Sequence, residues 1–179
     1  MKRIFLLSPA NLGGVRGRRV LTGADGLDWE LGELFSSISG LYFRGKLHYA
    51  EAFGVQSPLI ITAGFGLMPA HCRIGMDQLK QMAAVPINAS EPRYREPLER
   101  DARALDASAG IVLLGSLATP KYLEPLLNTV GARLLYPADF VGLGDMSRGG
   151  LMLRSVRLKQ ELTYRAANLL SGAPALNSR

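Results

Sequence analysis

The chain reads as an α/β protein with a mainly parallel sheet flanked by helices. Three observations predict this. Short apolar runs closed by turn residues recur along the 179 residues. Stretches with apolar residues at three and four spacing separate them. Each apolar run lacks the polar alternation of a half-exposed strand, as strands buried on both faces do.

In order, Arg3 to Leu7 is an apolar run stopped by Ser8-Pro9, and predicts a buried first strand. Asn11 to Gly26 holds five glycines with Arg16, Arg18 and Arg19, and predicts an irregular basic loop with a short strand at Arg19 to Leu21. Trp29 to Leu41 and Gly45 to Phe53 carry helical spacing. Pro58 to Ala63 is a second strand, ended by the turn Gly64-Phe-Gly66. Met76 to Ala84 predicts a helix halted before Pro86. Arg95 to Ala107 interleaves Glu and Arg with Leu98, Ala102 and Leu105, as a half-exposed helix does. Gly110 to Gly115 is the clearest strand, and Thr119-Pro120 caps and opens the next helix. Arg133 to Tyr136 is a fourth strand, closed by Pro137. A long helix from Asp145 to Leu170, interrupted at Gly149-Gly150, completes the pattern. The expected arrangement is three-layer and Rossmann-like. It comprises one domain over residues 1–170 and a flexible tail over 171–179.

Composition bounds function. The chain is 47% apolar and 20% charged, an ordinary globular balance. Twenty-one Lys and Arg against 15 Asp and Glu leave +6, which suits an anionic partner. Cys72 is the single cysteine, so no internal disulfide forms, as in a reducing cytosol. The apolar run Ile4 to Leu7 is too short for a signal sequence, and no stretch has membrane-spanning length. The expected location is cytoplasmic, without a membrane partner.

Gly142 to Arg154 packs four glycines, one carboxylate, one hydroxyl and two guanidiniums ahead of a helix. Glycines let a ligand approach the backbone, a helix start offers unpaired N–H groups, and arginine presents a planar fork. Ligands in such sheets gather beyond the carboxyl ends of the strands. Four segments fall there: Ser8 to Asn11, Ala63 to Pro69, Gly115 to Thr119 and Pro137 to Gly144. The candidate binding residues are Ser8, Asn11, Arg44, Lys46, Arg73, Ser116, Lys121, Tyr122, Ser147 and Arg148. Asp145 and Asp139 are the candidate general bases, and Asp145 is also placed to cap its helix. Arg44 and Lys46 are flanked by Tyr42, Phe43, His48 and Tyr49, a mixture suited to stacking bases beside phosphates.

Several chemistries find no motif. There is no Walker A sequence, no three-glycine dinucleotide turn and no Gly-x-Ser-x-Gly elbow. Ser116 follows a strand but has no evident base. His71-Cys72 alone is a weak metal signal, so neither metal nor cofactor is assigned.

Read in order, several segments resemble the YaaA family of bacterial peroxide-stress proteins. Leu6-Leu-Ser-Pro-Ala10 is similar to that family's Ile-Ser-Pro-Ala-Lys start, and Phe43-Arg-Gly-Lys46 to its Phe-Lys-Gly-Asp. Gly64-Phe-Gly-Leu-Met-Pro69 with Arg73-Ile-Gly-Met76 is similar to Leu-Tyr-Gly-x-Leu-Arg-Pro with Arg-Leu-Glu-Met. Ala118-Thr-Pro-Lys-Tyr122 is similar to Ala-Ser-x-Glu-Tyr, and Met146-Ser-Arg148 to Arg-Gly-x-Met-x-Arg. Asn11, Lys46 and Gly75 depart from the family's Lys, Asp and Glu. The resemblance implies an α/β domain with a basic cleft and DNA affinity. Two functions are expected, the first from the net charge and this resemblance, the second from the four converging loops. One is nucleic-acid binding in a stress response. The other is an enzyme acting on a nucleotide, nucleoside or other phosphorylated small molecule, with glycosidic-bond hydrolysis as the first reaction to test.

Overall fold

The computed structural model describes residues 1–23 and 28–172. Within them the protein is a mixed α/β structure built on a six-stranded, mostly parallel sheet. The strands are β1 (Arg3–Leu7), β3 (Leu59–Thr62), β4 (Gly66–Pro69), β6 (Gly110–Leu114), β7 (Leu134–Pro137) and β8 (Tyr164–Ala166). They lie in the order β4-β3-β1-β6-β7-β8, with β3, β1, β6 and β7 parallel and the two outer strands antiparallel. A separate two-stranded ribbon pairs β2 (Trp29–Glu30) with β5 (Arg73–Ile74).

Among the described residues seven α-helices pack around the sheet: α1 (Val15–Leu21), α2 (Leu31–Ser39), α3 (Leu41–Phe53), α4 (Met76–Ala84), α5 (Pro92–Arg103), α6 (Pro120–Val130) and α7 (Asp145–Leu158). Successive strand residues point to opposite faces, so the two central strands feed two cores. Phe5, Leu7, Val112 and Leu114 pack with apolar residues of α2, α3, α4 and α7. Ile4, Leu6, Ile111 and Leu113 pack with those of α5 and α6. This is why both strands are unbroken apolar runs in the sequence.

Three expected elements differ. The segment read as a basic loop with a strand at Arg19 to Leu21 instead forms α1, because Val20 and Leu21 pack on the first core. Trp29 and Glu30 pair as a strand rather than opening a helix. Gly40, at φ 61°, then separates α2 from α3, which starts before the expected Gly45. The long terminal helix ends at Leu158, where Lys159 takes a left-handed conformation (φ 54°). Beyond it Leu162, Tyr164 and Ala166 alternate with Thr163 and Arg165, a period of two that makes β8. Tyr49 and Tyr164 join by their hydroxyls at 2.6 Å, and Arg3 meets Glu161 at 3.0 Å, which ties this return strand to the core. Gly64 and Gly66, both at positive φ, turn β3 back into the unanticipated β4. Of the expected tail, 171 and 172 end a 3-10 turn, and 173–179 lie outside the described residues.

Gly149 and Gly150 do not break α7. Gly149 is buried where α7 meets α3: a Cβ there would stand 2.9 Å from the Leu41 carbonyl, and one at Gly45 would stand 2.8 Å from the Gly149 carbonyl. Gly150 faces open space. Gly45→Ala should therefore cost about 1–3 kcal/mol by overpacking. Gly150→Ala should be neutral or stabilising by up to about 1 kcal/mol. Urea unfolding of the two variants checks this, and equal effects would refute the close helix contact.

Candidate functional site

The chain leaves β1 for β3 on one side, then crosses to β6 on the other. The topological switch point thus lies between the carboxyl ends of β1 and β6, where a crevice opens. A cavity of about 600 Å³ occupies this place. Ser8, Pro9, Ala10 and Asn11 line it from the end of β1, and Ser116 from the end of β6. Ser39 of α2, Tyr42 and Lys46 of α3, Lys121 and Tyr122 of α6, and Asp145 of α7 add further polar lining. Phe35, Met82, Val85 and Ile87 supply apolar wall.

Lys46 is the most unusual side chain in this wall. Its residue is 1% exposed. The Nζ donates to the Ser8 carbonyl at 2.7 Å and meets Ser8 Oγ at 2.9 Å. The Tyr42 and Phe43 rings lie 4.4 and 4.8 Å from it. No carboxylate stands within ion-pair distance of it among the described residues. Burial disfavours the ammonium and brings its pKa down to about 7; Asp145 pulls it upward and Arg148 pushes it further down.

Arg148 sits behind this wall. Its Nε and Nη2 donate to the Phe140 carbonyl at 3.1 and 2.9 Å, its guanidinium lies over the Phe140 ring, and Asp145 is 3.7 Å from Nη1. The buried Tyr42 hydroxyl has no hydrogen-bond partner of good geometry, although Arg148 lies beside it. Burial raises the Tyr42 pKa, and the neighbouring guanidinium partly offsets this. Asp145 is the first residue of α7 rather than its cap, which is Gly144; its charge favours the helix start all the same.

Of the residues expected at a site, Ser8, Asn11, Lys46, Ser116, Lys121, Tyr122 and Asp145 are brought together around the cavity. Arg148 holds the loop before α7 instead of facing the space. Arg44 precedes Lys46 by two positions, roughly 200° around the helix, so the turn that buries Lys46 leaves Arg44 in solvent. Arg73 is bound to Asp28 on the outer ribbon, at 2.9 Å from Nε and 3.0 Å from Nη2. Ser147 is exposed on α7. Asp139 borders a different hollow, with Arg154, Ser155 and Glu161. Two polar contributors, Ser39 and Tyr42, escaped the sequence reading as site residues. Ser39 carried no signal. Tyr42 had one: it lies four residues before Lys46, on the same helix face.

Two outcomes test this arrangement. The native Lys46 pKa lies below its ordinary 10.5. Between about 7 and that value the unfolded chain holds a proton that the folded chain lacks, so the group makes stability rise with pH there. Unfolding free energies at pH 7.5 and 9.5 should thus rise in wild type relative to Lys46→Met, and a constant difference would refute a deprotonating buried lysine. Arg148→Ala should lose about 1–3 kcal/mol, because the Phe140 carbonyl would keep only the Leu143 amide, at 3.3 Å. A thermal melt with no change would free Arg148 for ligand binding. No protein-family model, curated protein or solved structure matches the chain.

Proposed function

We propose that the protein is a cytoplasmic small-molecule enzyme whose cavity takes a nucleotide- or nucleoside-sized anionic metabolite. The scaffold is read as three-layered and Rossmann-like. One observation carries the functional reading: a cavity at the sheet's switch point, of the size that small ligands use, into which Ser8, Lys46 and Asp145 converge. Lys121, Asn11, Ser116 and Tyr122 offer donors to phosphate, sugar or base edges. In this reading Asp145, which lines the cavity, orients the water. Asp139 lies elsewhere, so the carboxylate pair of most glycosidases is not assembled among the described residues. Glycosidic-bond hydrolysis would rest on Asp145 alone.

A second reading, nucleic-acid binding with a YaaA-like role in stress protection, is favoured by α1. Arg16, Arg18 and Arg19 are exposed there, and the Arg16 guanidinium lies over Gly40, next to Ser39 of the cavity.

Thermal shift and calorimetry with nucleoside mono- and diphosphates and inorganic phosphate separate the two. At least one nucleotide should stabilise the protein, and Lys121→Ala should weaken it about tenfold, or ~1.4 kcal/mol. Absence of any shift, or binding untouched by Lys121→Ala with Asn11→Ala, would refute the first reading. Under the second, duplex DNA should bind with an affinity falling by powers of salt concentration. The Arg16, Arg18 and Arg19 alanine triple variant should flatten that slope.

A further inference from the structure

We propose that Ser8 and Lys46 form a nucleophile–base pair that removes an acyl group from an ester, thioester or amide held in the cavity. The inference rests on the small-molecule reading of the cavity above and adds the atom that attacks.

The geometry is that of an activated hydroxyl. Ser8 Oγ and Lys46 Nζ are 2.9 Å apart, within proton-transfer distance, and both residues line the cavity. Ser8 is held in place by the sheet: its amide donates to the Leu114 carbonyl at 3.1 Å, continuing the β1–β6 ladder by one residue. Its side chain has room because residue 115 is glycine; a Cβ there would stand 2.9 Å from Ser8 Cβ and 3.0 Å from Oγ. Lys46 is anchored by its second bond, to the Ser8 carbonyl, which aims the same nitrogen at backbone and hydroxyl together. The Tyr42 and Phe43 rings lie against the nitrogen, and among the described residues no carboxylate stands within ion-pair distance of it. A lysine in such a place loses its proton readily, which is how lysine serves as a general base. Serine–lysine pairs are a known variant of the serine–histidine solution.

The steps balance without a further reagent. Neutral Lys46 accepts the Ser8 hydroxyl proton as Oγ bonds to the substrate's carbonyl carbon, and the carbonyl π pair moves to oxygen. Collapse of that tetrahedral species breaks the bond to the leaving group, which takes the proton from the Lys46 ammonium. Water then attacks the acyl-Ser8 ester, giving a proton to Lys46. Breakdown releases a carboxylic acid and returns the proton to Ser8 Oγ. The sum is one bond hydrolysed by one water. Asn11, Ser116 and Lys121 line the same cavity and are the candidate donors to the oxyanion.

The groups that act on Lys46 from neighbouring elements are Asp145 and Arg148 of α7. Tyr42 of α3 and Tyr122 and Lys121 of α6 share its wall. Burial raises both phenol pKa values, so the phenols stay neutral through the range in which Lys46 titrates.

The test is labelling of the full chain with a fluorophosphonate, read by intact mass and peptide mapping. One adduct should form, on Ser8. Its rate should climb with pH through about 7, as Lys46 deprotonates. Ser8→Ala should abolish it. Lys46→Met should slow it on the order of 10²–10⁴-fold and remove the inflection near neutrality. No adduct, an adduct elsewhere, or an unchanged pH profile in Lys46→Met would overturn the pair. Mapping the adduct on the unmodified chain keeps the test decisive even if Lys46→Met fails to fold. Nucleotide thermal shifts on the same samples separate the two levels. Stabilisation of wild type and Ser8→Ala alike, with no labelling, sinks the pair and leaves the binding reading intact. Labelling of Ser8 without any nucleotide shift leaves the pair standing and removes the nucleotide as its substrate class.

Discussion

The contact between α3 and α7 sets the rest of the site. Gly45 and Gly149 meet backbone to backbone, with no space for a side chain on either. That closeness brings Lys46, one residue beyond Gly45, and Arg148, one residue before Gly149, to the same crossing, where the guanidinium pushes the Lys46 pKa down. Tyr42 and Asp145 follow at one helical turn from each. A larger residue at the crossing would separate the helices and carry Tyr42 and Lys46, in contact on α3, away from Asp145 and Arg148, paired on α7.

The second constraint comes from the sheet. Parallel strands of alternating depth end together at β1 and β6, and the chain departs from them in opposite directions. A crevice is the geometric result. Ser8 is the first residue past β1 and remains hydrogen-bonded to β6, so a hydroxyl is held at the crevice by the rigid part of the fold instead of by a loop. Lys46 reaches that hydroxyl from the helical layer. The pair therefore joins two layers of the structure at the position where a ligand would sit.

Burying Lys46 runs against stability. An ammonium removed from water and given a carbonyl, a hydroxyl and two ring faces recovers part of its hydration, with no carboxylate within ion-pair distance among the described residues. Arg148, also buried, recovers more, because the Phe140 carbonyl takes two of its donors and Asp145 stands near a third. The two cations thus differ in kind. One stabilises the loop that leads into α7. The other is held in a state that costs free energy, as groups at working sites often are.

Much of the frame was legible in the residues. Apolar runs at Arg3 to Leu7 and Gly110 to Leu114 marked the two central strands, and Thr119-Pro120 marked the start of α6, because strand burial and helix initiation are local matters of composition. Six of the seven residues that line the cavity together were also reachable because they follow strands or begin helices, and Lys46, inside α3, because aromatic residues flank it. The sequence could not say which face of a helix turns inward. It paired Arg44 with Lys46 although the helix separates them, and gave Arg148 to a ligand although Phe140 holds it. It also read Gly149 as a break, when the glycine is a point of contact. Residue types and their spacing determined the α/β pattern, the basic balance and the neighbourhood of the site by themselves. The tertiary structure alone decided which cation is buried, which carboxylate reaches the cavity and that Ser8 and Lys46 touch, because these depend on the packing of segments 38 residues or more apart in the chain.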